Sequence, residues 1–214
     1  MIKAVLFDLD GTLADTAPDL TYALNTLRSA RRMPPLSLEA TRPVASHGAR
    51  GLLGVGFGIG PSDPEYDSLR NEFLTLYEAN LCRATRLFPG MATLLSALEK
   101  RRLPWGVVTN KVERFTLPLL DALNLTARAA CIIGGDTTLH TKPHPAPLLA
   151  ASRTIDVEPQ ACIYVGDDRR DVEAGHGAGM RVAVAGWGYL NGNDSESWAA
   201  DWILAQPDQI LELL

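Results

Sequence analysis

The chain opens on an apolar run, Ala4-Val5-Leu6-Phe7, that stops at two carboxylates, Asp8 and Asp10, with Gly11 after them. A short apolar run bounded by polar residues predicts a buried strand. If its alternation continues past Phe7, Asp8 and Asp10 point the same way. Further apolar runs at 103–109, 130–133, 162–165, 181–185 and, more weakly, 202–205 predict five more strands. Between them the period lengthens to that of helices. Residues 91–102 carry Leu94, Leu95 and Leu98 on one face, and 112–124 form a helix that Pro118 should kink. Helices follow at 145–154 and 171–178, where Gly179 stops the second, and a last one closes the chain at 207–214. Regular alternation of strand and helix predicts an α/β fold, a doubly wound parallel sheet covered on both faces.

One stretch breaks the alternation. Residues 18–32 have helical spacing through Leu20, Ala23, Leu24 and Leu27, and Pro34-Pro35 ends them. Residues 45–60 are glycine-rich, with only a short apolar helix or turn expected around Leu52-Leu53. Asp63-Pro64-Glu65 then starts a long helix whose buried face runs through Leu69, Phe73, Leu76, Tyr77 and Leu81. No strand is expected from Asp15 to about Leu87. The chain therefore divides into a core, 1–14 and 88–214, and a helical domain, 15–87, inserted after the first strand.

Composition narrows the class. With 214 residues, 46% of them hydrophobic, the chain can bury a sizeable core. A net charge of −5 and a pI near 5.4 argue against a nucleic-acid surface. No apolar run reaches the roughly 20 residues that cross a bilayer, and the N-terminus enters a strand directly, with no leader pattern. The three cysteines have no metal-like spacing, and free thiols point to a reducing cytoplasm.

Ligands of open parallel sheets bind beyond the carboxyl ends of the strands. Asp8, Thr109 and Asp167 each follow a predicted strand directly, and Lys142 follows one by a short loop. Paired carboxylates at a buried strand end repel each other, and a hard cation such as Mg2+ would relieve that repulsion.

Phe7-Asp8-Leu9-Asp10-Gly11-Thr12-Leu13 resembles the first motif of the haloacid-dehalogenase superfamily of phosphatases. Val108-Thr109-Asn110-Lys111, Thr141-Lys142-Pro143-His144-Pro145 and Val165-Gly166-Asp167-Asp168-Arg169-Arg170-Asp171 resemble its second, third and fourth motifs, in order. Within the superfamily the chain is similar to the phosphoglycolate-phosphatase-like group, and within that to the N-acetylmuramic acid 6-phosphate phosphatases. The resemblance implies a Rossmann-like core and a Mg2+-dependent phosphomonoesterase. Asp8 would be the nucleophile, forming an aspartyl phosphate, and Asp10 the proton donor and then the base. Thr109, Asn110 and Lys142 would hold the phosphate. Asp8, the Asp10 carbonyl and Asp167 would hold the metal, with Asp171 orienting its waters or Lys142. The inserted domain would be a cap that touches the leaving group. The polar residues of Ser46-His47-Gly48-Ala49-Arg50 are its candidate contacts, Arg50 first, as a clamp for a carboxylate or sugar oxygens, and His47 after it. Asp168 and Arg170 receive no role. Trp187 and Tyr189 either border the site or pack.

The expected partner is a small phosphate ester, phosphoglycolate or a sugar phosphate such as N-acetylmuramic acid 6-phosphate. Neither nucleic acid nor membrane is expected, and the state would be a monomer or small homo-oligomer. A β-phosphoglucomutase-like phosphomutase remains an alternative, as does a non-enzymatic phosphoacceptor signalling domain. The acid at Asp10 argues against a dehalogenase.

Overall fold

The apolar runs assemble into one sheet in a computed structural model of the chain, which describes residues 1–190, 192 and 195–214. The elements are β1 (Ala4–Phe7), β2 (Ala14–Asp15), α1 (Ala17–Ala30), α2 (Leu38–Thr41), α3 (Gly48–Phe57), α4 (Tyr66–Glu78) and β3 (Arg86–Leu87). After these come α5 (Met91–Lys100), β4 (Trp105–Val108), α6 (Glu113–Ala122), β5 (Cys131–Ile133) and α7 (Ala146–Thr154). The chain finishes with β6 (Cys162–Gly166), α8 (Arg169–Gly177), β7 (Arg181–Ala185) and β8 (Trp202–Leu204).

Among the described residues, six strands form a parallel sheet in the order β5-β4-β1-β6-β7-β8. Side chains alternate across β1 as a strand requires. Val5 and Phe7 join a core with α5 and α6 on one face, through Leu94, Leu98 and Leu119. Ala4 and Leu6 join another with α7 and α8 on the opposite face, through Leu148 and Ala174. The sheet is doubly wound, as the alternation implied. Its strand order matters for chemistry. β1 lies between β4 and β6, with Phe7 opposite both Val107 and Val165, so the chain leaves three neighbouring strands at one edge.

Helices α1 to α4 pack around their own apolar cluster, built from Leu24, Leu27, Leu52, Leu53 and Phe73. Phe115 of α6 and Tyr189 join that cluster, which seats the insertion against the sheet edge. The expectation of no strand between Asp15 and Leu87 is corrected at the margins. β2 and β3 pair antiparallel where the chain leaves and re-enters the core, Asp15 opposite Arg86. Two-residue strands are too short to show an alternating pattern. The glycine-rich stretch is also more ordered than expected, since α3 runs for 10 residues. A Cβ on Gly56 would lie 2.6 Å from Leu24 Cδ1, and one on Gly51 2.6 Å from the Val44 carbonyl. Those glycines allow close helix packing rather than leaving open room.

One smaller expectation changes: the closing segment Pro207–Glu212 is a 3-10 helix.

The neck is fastened by Asp19, which is 1% exposed. Its carboxylate accepts from the Ala84 N–H at 2.8 Å, the Thr85 N–H at 2.9 Å and the Thr85 hydroxyl at 2.7 Å. That joins the first turn of α1 to the strand returning to the core. Asp19→Ala would strand these buried donors, each costing about 1–3 kcal/mol. It should lower Tm by at least about 6 °C, at about 2–4 °C per kcal/mol for a chain of this size. A thermal melt within two degrees or so of wild type would contradict this role for Asp19.

Candidate active site

Asp8 leaves β1 with its N–H bonded to the Val165 carbonyl at 2.8 Å, so the first carboxylate is fixed by the neighbouring strand. Gly11 turns the chain with φ +87°, and a Cβ there would lie 2.1 Å from Asp167 Oδ2. Only glycine lets the loop after β1 come so near the end of β6. Thr12 then donates to Asp167 Oδ1 at 3.0 Å, and the Tyr189 N–H donates to Oδ2 at 2.9 Å. Asp8, Asp167 and Asp171 converge, with a carboxylate oxygen from each within 4.8 Å of the others. All three are buried.

One cation stands among them. Lys142 Nζ lies 2.9 Å from Asp8 Oδ1 and 2.7 Å from Asp171 Oδ1, and the Tyr164 hydroxyl is 2.7 Å away. Asn110 sets the loop that delivers it. Its side chain donates to the Lys142 carbonyl and accepts from the Lys142 N–H, both at 2.9 Å. Burial pushes the Asp8 carboxyl up to about 6; Lys142 opposes the rise, and Asp171 and Asp10 add to it. Burial, then Asp8 and Asp171, raise Asp167 well above the usual carboxylate range.

The donor set suits a hard divalent cation. Asp8 Oδ1 is buried and, although the ammonium is close, has no well-directed hydrogen bond among the described residues. Asp171 is committed elsewhere, with Oδ1 on Lys142 and Oδ2 accepting from the Asp168 N–H at 3.0 Å. Asp8 is thus the carboxylate of the three with an oxygen to spare.

A cavity of about 150 Å³ opens over this cluster. Asp8, Asp10, Thr109, Asn110, Lys142 and Asp171 line it from the core, and Ser46, His47 and Gly48 from the insertion. Arg50 is exposed and does not line it. β1 ends at Phe7, so strand alternation does not aim Asp10. Its carboxylate turns to the Thr16 hydroxyl at 2.5 Å and to Lys111 Nζ at 2.8 and 3.0 Å.

Other residues also border the site. Lys111 is only 8% exposed at its side chain and lies 4.8 Å from the centre of the Tyr77 ring in α4. Burial works against its charge, yet Asp10 and Tyr77 hold its pKa above the ordinary lysine range. Ser46 lies 3.4 Å from the Asp10 carbonyl and 3.2 Å from Asp167 Oδ2. Asp168 caps α8, and its carboxylate takes both Arg170 Nε and Nη2 at 2.8 Å. Arg170 also donates to the Ser46 carbonyl at 3.1 Å, which ties the fourth motif to the insertion. Burial works against ionisation of Asp168, but His47 and Arg170 hold its carboxyl far below the usual range. Tyr189 bridges core and neck, its hydroxyl 2.5 Å from Asp15 Oδ1 and 3.0 Å from the Ala17 N–H. Opposite charges two residues apart at 168 and 170 were the available signal for the Asp168–Arg170 pair.

Asp8 at the carboxyl end of the first strand thus faces a lysine from the loop before α7, a carboxylate after β6 and one in the first turn of α8. The profile of the haloacid dehalogenase-like hydrolases matches residues 5–185. The chain belongs to that family. It is 39% identical over 214 residues to an N-acetylmuramic acid 6-phosphate phosphatase of Pseudomonas aeruginosa, covering 100% of this chain and 95% of that one. It is 44% identical over 211 residues to a phosphoglycolate phosphatase of Xanthomonas campestris pv. campestris, covering 98% and 95%. A crystal structure described as a predicted phosphoglycolate phosphatase from Haemophilus somnus 129pt superposes with TM-score 0.87 at 28% identity, covering 99% of this chain and 97% of that one. This haloacid dehalogenase-like chain is therefore a hydrolase of the phosphatase type, and the non-enzymatic phosphoacceptor reading is set aside. No helix among the described residues is long and apolar enough to cross a membrane.

Lys142 is the counter-charge of the cluster. Removing one partner of a buried ion pair costs about 3–5 kcal/mol. Lys142→Met should therefore lower Tm by roughly 6–20 °C. A Tm unchanged from wild type would mean that the carboxylates do not depend on this ammonium.

Proposed function

We propose that this hydrolase cleaves small phosphate monoesters whose leaving group carries a carboxylate, with Asp8 as nucleophile and Asp10 as acid and base. The observation that supports it most is the pocket: a buried Asp8 oxygen without a directed hydrogen bond, beside Lys142 at 2.9 Å, with Asp10 lining the same cavity. Asp8 attacks phosphorus in line as the ester P–O bond breaks, which leaves an aspartyl phosphate. Asp10, once protonated, gives its proton to the departing alkoxide, then takes one from the water that frees Asp8. Thr109 and Asn110 orient the phosphoryl oxygens, and Lys142 offsets their charge.

Mg2+ would be held by Asp8, the Asp10 carbonyl and Asp167, and would supply positive charge against the phosphate when bound. Asp171 acts through Lys142, which it positions. The insertion, 15–87, would serve as a cap, with His47 at the pocket wall and Arg50 farther out.

Two esters fit this reading, and both carry a carboxylate. Phosphoglycolate is the substrate named for one set of relatives and N-acetylmuramic acid 6-phosphate for the other. A larger cavity of about 450 Å³ lies between the insertion and the core beside the catalytic pocket. Such a volume favours the sugar phosphate.

Phosphate release should stop with EDTA and return with Mg2+, and Asp8→Asn should retain less than about 1% of wild-type turnover. Asp167→Asn should melt no lower than wild type without metal, because it removes one of three crowded carboxylates. It should also lose the rise in Tm that millimolar Mg2+ gives wild type. An undiminished rise would place the metal elsewhere, and full turnover by Asp8→Asn would refute the mechanism.

A further inference from the structure

The cavity between insertion and core has an unusual lining for a chain of net charge −5. Four of its lining residues, Arg50, Arg70, Lys111 and Arg114, are cationic, and none is acidic. Arg114 is already paired with Glu78 on the surface. Arg50 and Arg70 are exposed. Lys111 differs from all three, because it is buried and because it lines the catalytic pocket as well. His47, Gly48 and Asn110 are the other residues common to both walls, so Lys111 is the cation at the junction of the two spaces.

Its surroundings leave it something to bind. An ammonium has three donors. Two contacts go to the Asp10 oxygens, and the Tyr77 ring covers another side. Tyr77 lines the same cavity, and its hydroxyl is buried and, although the ammonium is close, has no well-directed hydrogen bond among the described residues. A buried hydroxyl without a directed bond beside an ammonium favours an acceptor there, and leaving both unmet costs free energy. Lys142 shows that one ammonium in this site can serve two carboxylates at once.

We infer that Lys111, rather than Arg50, is the specificity-determining contact for the leaving group: it shares its ammonium between Asp10 and a substrate carboxylate held in the cavity under Tyr77. This rests on the phosphatase reading above, and it assigns the discrimination to a residue of the core instead of the insertion. A phosphate ester bound at Asp8 must extend its remainder past this junction to reach the larger cavity, so a carboxylate a few bonds from phosphorus meets Lys111 first. Arg50 borders the outer cavity wall and lies off the catalytic pocket.

The test compares phosphoglycolate with 2-hydroxyethyl phosphate, which replaces the carboxylate by a neutral alcohol. Any damage that Lys111→Met does through Asp10 falls on both esters, so the ratio of their kcat/KM values isolates the carboxylate contact. Wild type should favour phosphoglycolate by about ten- to a hundredfold, the range of one charge-assisted hydrogen bond. Lys111→Met should bring that ratio near one, chiefly through KM for phosphoglycolate, and Lys111→Arg should restore part of it. A ratio that survives Lys111→Met, or that collapses instead in Arg50→Ala, overturns the inference. Calorimetric titration of phosphoglycolate into Asp8→Asn and into Asp8→Asn/Lys111→Met makes the same comparison without turnover. Weaker binding to the second protein upholds the contact even if no ester is hydrolysed, in which case the phosphatase reading alone fails. Equal affinities overturn the contact even if hydrolysis is fast.

Discussion

A single buried ammonium among three buried carboxylates is the constraint on which the site depends. Asp8, Asp167 and Asp171 come from strand ends and a helix start, so the fold brings like charges together out of water. Such crowding is unfavourable unless something offsets it, and Lys142 does so for two of the three. The rest of the local structure serves that arrangement. Asn110 grips both backbone groups of Lys142, Tyr164 supports its ammonium, and α8 begins where Asp171 can turn back to the Asp168 N–H. Negative charge left in excess, with an Asp8 oxygen lacking a directed bond, makes the cluster receptive to a cation.

The insertion is joined to this cluster at several independent points. Asp19 fastens the neck, Tyr189 connects Asp15 to the loop that supports Asp167, and Arg170 reaches the Ser46 carbonyl. Lys111 sits between Asp10 and Tyr77 of α4. The Asp19 contact closes the insertion on itself, and each of the others links a residue beside the carboxylates to a residue of the insertion. Movement of the helical part would therefore be felt by Asp10 and Asp167 through short polar connections rather than through the sheet. The pocket over the carboxylates is small and the space beside it larger. A cationic lining in an acidic protein gives that second space a preference for anions.

The fold and the convergence of Asp8, Thr109, Lys142 and Asp167 were legible in the chain itself. Runs of apolar residues in a parallel sheet are nearly continuous, because both faces are covered, and their ends mark the ligand edge. That rule needs no knowledge of which strands are neighbours. The order β4-β1-β6, which makes the three strand ends adjacent, is a tertiary fact. So are the short β2–β3 pair and the full length of α3, where glycines give close packing against Leu24.

The partners of the insertion were decided by tertiary structure alone. Arg50 is suggested by its residue type, yet its place on α3 leaves it exposed, while Lys111, two residues past Thr109, keeps only 8% of its side chain exposed, over the Tyr77 ring. Asp168 and Arg170 received no role, and although they pair with each other, only the docking of Ser46 and His47 over them gives them contacts to the insertion. The physical reason is common to these cases. Strand ends obey a local periodicity that the sequence carries in every residue. Which side chain meets which across two packed units depends on their relative placement, and no periodicity encodes that.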